Sequence, residues 1–113
     1  MPDIKVRDNK KEGVIEITIR VPYVEGDLLL FDVMGLPKVT IPCMRYAKVG
    51  EFGSRVYYVI EVHELDEKTQ DVKPKVYLVE YDTNQKDFFV TYLAGSGFES
   101  AVKYYILRKV LEE

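Results

Sequence analysis

A chain of 113 residues that is 47% hydrophobic and 31% charged is the size and make-up of one globular domain, residues 1–113, which excludes intrinsic disorder and gives no reason to expect a second domain. No apolar run approaches the roughly 20 residues of a membrane-spanning helix, Met1-Pro2-Asp3-Ile4-Lys5 lacks the apolar core of a secretory signal, and a single cysteine cannot close an internal disulfide, so a cytoplasmic protein is expected. The net charge of -3 excludes an overall basic coat for nucleic acid and leaves room for a local basic patch.

Along the chain, residues 4–7 form a short edge strand or fray, and Asp8-Asn9-Lys10-Lys11-Glu12-Gly13 is a polar turn. Ile15, Ile17, Ile19, Val21 and Tyr23 then alternate with Glu16, Thr18 and Arg20, the pattern of a half-buried strand with one wet side. Pro22 ends it or marks an edge, and Glu25-Gly26-Asp27 turns the chain back into residues 28–33, a hairpin. That second run, Leu28-Leu29-Leu30-Phe31-Asp32-Val33, is apolar on both faces, as in a strand covered on both sides or lying at a dimer contact. Gly35 and Pro37 end it. A strand over 38–46 follows with Val39, Ile41 and Cys43 inward, and Pro42 marks an edge or a bulge. Residues 48–54 read as a loop in which Gly50 and Gly53 place Phe52 on a flexible tip.

The aromatic content is concentrated between Arg55 and Leu93. In residues 55–63, Val56, Tyr58, Ile60 and Val62 share a core face, opposite Arg55, Tyr57, Glu61 and His63. In residues 75–81, Val76 and Leu78 oppose Lys75, Tyr77, Val79 and Tyr81. With both aliphatic sets turned inward, one outer face carries Arg55, Tyr57, Lys75, Tyr77 and Tyr81 together. The acidic run 66–74 is a solvated loop, and residues 82–86 connect 76–81 to 88–92 as a hairpin. After Ala94-Gly95-Ser96-Gly97, Ser96 and Glu99 form a capping box that starts a helix, with Phe98, Ala101, Val102, Tyr105, Ile106 and Val110 on one row. Tyr104, Leu107 and Leu111 make a second row, and Glu99 and Lys103 an i,i+4 pair. The fold class is therefore α+β: an antiparallel sheet of about six or seven strands with one C-terminal helix packed on it. Its expected core includes Ile17, Ile19, Ile41, Tyr58, Ile60, Val62, Val90, Val102 and Ile106.

No motif carries catalysis. His63 stands among Glu61, Glu64, Asp66 and Glu67, yet no second His or Cys lies at a metal-ligand spacing, and an ion pair with Glu61 accounts for it. Cys43 sits on an inward face, and Gly95-Ser96-Gly97 lacks the lysine of a phosphate loop. No catalytic residue, metal or cofactor is expected. What remains is the aromatic and basic face, which reads as a surface for single-stranded nucleic acid. Its rings stack on unpaired bases and its cations hold phosphates, with Arg45, Lys48, Phe52, Arg55, Tyr57, Lys75, Tyr77 and Tyr81 as the contacting residues. The alternative is a homo-oligomeric protein interaction module, in which tyrosines and the two-row helix are association surfaces. In layout alone, curved antiparallel strands followed by one helix resembles the dimeric single-stranded-DNA-binding coactivator folds, which implies a homodimer made by the helix and a sheet face for the strand.

Overall fold

A computed structural model describes residues 3–31 and 34–112, with the side chains of Pro37 and residues 109–112 outside the described set. Asp32 and Val33 of the double-sided apolar run, and the side chains of Val110 and Leu111, thus lie outside the described residues.

Local turn chemistry sets the first element. Gly13, at φ 69, takes a left-handed conformation that a Cβ would strain, and its N–H bonds the Asn9 carbonyl at 2.9 Å. That turn folds β1 (Asp3–Asn9) onto β2 (Val14–Arg20) as an antiparallel hairpin, with Ile4 opposite Ile19 and Val6 opposite Ile17. The hairpin expected between residues 15–23 and 28–33 does not form. Instead β3 (Val24–Glu25) pairs with β6 (Arg45–Phe52), and the Gly26 N–H bonds the Met44 carbonyl at 2.9 Å. The strand expected over 38–46 is split, because Pro42 has no N–H to give and the Cys43 N–H turns to the Asp27 carboxylate at 3.3 Å. Its first half, β5 (Pro37–Ile41), pairs with β4 (Leu28–Phe31) as a second hairpin.

The remaining strands are β7 (Arg55–Leu65), β8 (Val72–Asp82) and β9 (Asp87–Tyr92), followed by α1 (Phe98–Glu112). The main sheet runs β3-β6-β7-β8-β9, antiparallel throughout. The class is α+β with an antiparallel sheet and one C-terminal helix, and among the described residues the strands number nine in three sheets, not six or seven. The surplus comes from β3 and from the split at Pro42. No described helix is long and apolar enough to cross a membrane.

Both faces of the main sheet are covered. On one, Ala47, Val49, Val59, Val76 and Leu78 pack against Phe98, Ala101, Val102 and Ile106 of α1. On the other, Ile60, Val79 and Tyr81 pack beneath Leu28 and Leu30 of the β4–β5 hairpin, with Val39, Ile41 and Cys43 at its margin. Adjacent residues of β7 therefore face opposite dry layers, Val59 at 0% and Ile60 at 2% exposure. Two of the expected core residues are open: Ile17 is 56% and Val90 46% exposed, the first on the β1–β2 hairpin and the second on the outermost strand.

The helix begins one residue later than a Ser96 cap requires. The Ala101 N–H bonds the Gly97 carbonyl at 3.0 Å, which makes Gly97 the cap, while Ser96 is exposed. Glu99 turns to Arg45 at 2.9 Å and not to Lys103.

Candidate interaction surfaces

The five residues expected to share one outer face, Arg55, Tyr57, Lys75, Tyr77 and Tyr81, and the further contacts Arg45, Lys48 and Phe52 are divided between two faces. In the β7–β8 register Tyr57 stands opposite Glu80 and Tyr58 opposite Val79. Directly opposed residues share a face, so Val76 and Leu78 lie with Tyr57 on the helix side, and Tyr77 and Tyr81 lie with Tyr58 on the hairpin side. Arg45, Phe52, Arg55 and Tyr57 are thus on the helix side, and Lys48, Lys75, Tyr77 and Tyr81 on the other. The inward-together expectation assumes one wet face, and this sheet has none along its centre.

On the hairpin side Tyr81 is a core residue at 3% exposure, its hydroxyl donating to the Phe31 carbonyl at 3.3 Å. Lys48 is ion-paired with Glu51. Lys75 reaches Glu64 at 3.7 Å and sits 5.5 Å over the Tyr92 ring, which lies 5.4 Å from that of Tyr77. The Tyr77 hydroxyl donates to Glu64 Oε1 at 2.6 Å, and that bond, with some desolvation, pushes its pKa up to about 12. The raised value favours the neutral hydroxyl in the fold. Its stabilisation is complete below the ordinary tyrosine value near 10 and is lost as pH rises through about 12. An NMR titration of the tyrosine ring carbons should place Tyr77 as ionising at about 12, and Glu64→Gln should return it toward 10. A wild-type midpoint at the ordinary value would show that the bond does not form in solution.

On the helix side Arg45 is the hub. Its Nη2 reaches Glu61 at 3.1 Å and Glu99 at 2.9 Å, and its guanidinium lies 4.3 Å from the Phe98 ring centroid and 5.3 Å from that of Tyr23. Glu61 also meets His63 Nε2 at 3.1 Å, the pair its spacing implies, with the Glu61 side chain only 14% exposed rather than at the surface. The Glu99 carboxyl is held below the usual range by its own backbone N–H and by Arg45. Arg55 pairs with Asp82 at 3.8 Å. Tyr57 and the 79%-exposed Phe52 line a cleft of about 300 Å³ with Tyr105 and Arg108 of α1 and with Glu51 and Glu80. This cleft joins three rings to charges of both signs, at the small end of ligand-binding cavities. Cys43 is half-buried, its thiol donating to the Gly26 carbonyl at 3.3 Å, and burial pushes its pKa up, away from thiolate chemistry. Among the described residues no group of His, Cys, Asp and Glu is placed to hold a metal ion.

A surface absent from the expected site is the β1–β2 hairpin. Ile4, Ile19 and Val21 anchor its root on the helix-side core, while Val6 at 68%, Ile15 at 68% and Ile17 at 56% exposure continue the same apolar face outward. Between its root and α1 runs a groove of about 560 Å³, lined by Ile17, Val21, Ala47 and Val102 and flanked by Lys103. The alternation of residues 15–21 signals this face. What it cannot signal is that no element among the described residues lies over Val6, Ile15 and Ile17. The radius of gyration, 16.4 Å, exceeds the roughly 13 Å of a compact domain near this length, as a projecting arm requires.

No family model, no curated protein and no solved structure matches this chain.

Proposed function

We propose that this chain is a homo-oligomeric protein interaction module, without catalysis, that associates through its projecting β1–β2 arm. The observation that carries the reading is the uncovered apolar row Val6, Ile15 and Ile17. A two-stranded hairpin is marginal in water by itself, and among the described residues it is the root, Ile4, Ile19 and Val21, that packs on the helix-side core. Covering such a row gains about 25 cal/mol per Å² of apolar surface, which makes association the physical means of ordering it.

The nucleic-acid reading draws less support from the geometry. All four of its basic residues already hold carboxylates: Arg45 with Glu61 and Glu99, Lys48 with Glu51, Arg55 with Asp82 and Lys75 with Glu64. Phosphates would have to displace these acids, and the rings are spread over two faces with Tyr81 enclosed. Sedimentation velocity over a range of micromolar concentrations is expected to show a species heavier than the 13.1 kDa chain. A lone monomer at every concentration overturns the proposal. A parallel titration with single-stranded oligonucleotide at low salt, where phosphate attraction is strongest, is expected to show no binding. Binding that Tyr57→Ala or Tyr77→Ala weakens by about 1–3 kcal/mol would restore the base-stacking reading in its place.

A further inference from the structure

We infer that two copies of this chain join edge to edge through β2, paired antiparallel about a two-fold axis at Thr18, so that the arms form one four-stranded sheet, β1-β2-β2-β1. This rests on the self-associating reading above and names its partner surface. The edge of β2 away from β1 has no partner strand among the described residues, and an unpaired edge is a template for another chain. The groove beside Thr18 and Ile19 leaves the space along that edge open.

The sequence of β2 selects the register. Antiparallel pairing about a two-fold axis sets residues opposite one another symmetrically around the residue on the axis, and opposed residues share a face. With Thr18 on the axis, Glu16 faces the partner's Arg20 and Arg20 faces the partner's Glu16, two opposite-charge pairs flanking a central threonine pair. On the other face Ile17 meets the partner's Ile19, and Ile15 meets the partner's Val21. Moving the axis to Ile17 or Ile19 sets Thr18 beside the partner's Glu16 or the partner's Arg20 and leaves both charges without an opposite. An axis between residues places apolar against polar faces. The outer edge of β1 is a poorer choice, since axes at Lys5, Val6 or Arg7 each bring cation against cation.

The same register accounts for the bare half of the arm. Ile19 and Val21 pack on the core at the root of the groove, so the partner's Ile15 and the partner's Ile17 come to lie beside them, over the groove of about 560 Å³. One association thus covers the exposed isoleucines and the groove together. Glu16 is available for it: although it contacts Asn9 at 3.1 Å and Arg7 at 3.8 Å, its side chain remains 43% exposed.

The test is a charge exchange read by sedimentation equilibrium of the full chain. Arg20→Glu sets like charges opposite at both symmetric contacts and should weaken self-association on the order of tenfold. Glu16→Arg should do the same. An equimolar mixture of the two variants should regain wild-type affinity as a mixed dimer, because each then supplies the charge the other lacks. Recovery on mixing cannot come from a folding defect, and Arg20→Glu decides alone if Glu16→Arg loses its fold. A wild-type dimer whose affinity Arg20→Glu leaves unchanged overturns the β2 register while the interaction reading stands. A wild-type monomer overturns both.

Discussion

A chain ending at Ser96 is expected to lose cooperative folding altogether. Removing α1 takes away Phe98, Ala101, Val102 and Ile106, all between 3% and 8% exposed, and opens Ala47, Val49, Val59, Val76 and Leu78 to water. At about 1.5–3 kcal/mol for each large apolar side chain, the three large ones lost from the helix alone approach the whole stability of a small domain, about 5–15 kcal/mol. The loss reaches further than the layer itself. Phe98 lies edge-on to Tyr23 and under Arg45, and Glu99 holds Arg45 at 2.9 Å, so the arm's root and the β6 end of the sheet would lose their common anchor. Circular dichroism on heating should show no transition, or the fragment should aggregate. A soluble fragment with a cooperative melt would mean that the arm or another segment replaces the helix.

Alternation and punctuation, which are local, made much of this fold legible. The alternation of residues 55–63 marks β7, the tight connection at 82–86 marks the β8–β9 hairpin, and the helical spacing of Phe98, Ala101, Val102 and Ile106 matches the buried row of α1. What remained hidden depends on pairing between distant residues. Alternation in β8 separates Val76 and Leu78 from Tyr77 and Tyr81 without saying which set meets Tyr57, and when both faces are dry the aliphatic set is no guide. Tyr81 looks outward by composition and is enclosed by Leu28 and Leu30, which lie more than fifty residues earlier. The Arg45–Glu99 pair spans 54 residues and so leaves no local trace; it removes Arg45 from any set of open cations. The isoleucine row of β2 was visible as a face, but a sequence pattern gives the period of a face and not what covers it. Ile17 and Ile19 therefore read alike as core, whereas Ile19 packs on the core and Ile17 is 56% exposed.

Leu30→Ala is expected to cost about 2–5 kcal/mol, and its neighbour Leu29→Ala no more than about 0.5 kcal/mol. Leu30 is 1% exposed and lies over Ile60, Val79 and Tyr81, while Leu29, at 43% exposure, points away from the sheet. The contrast tests the second layer directly, because the two substitutions remove the same atoms from adjacent positions of one strand with the same intrinsic propensity. The cost at Leu30 has two parts: the transfer energy of the lost methyl groups, and a cavity that β4 can close only by sliding against β5, where Leu30 is paired with Val39. A small relaxation is also resisted by Tyr81, whose hydroxyl holds the Phe31 carbonyl next along the strand. Urea denaturation of both variants, compared at equal m-value, measures the difference. If Leu30→Ala proves as mild as Leu29→Ala, the β4–β5 hairpin does not cover the sheet. Tyr58, Tyr77 and Tyr81 would then stand open on one face, as a base-stacking surface requires.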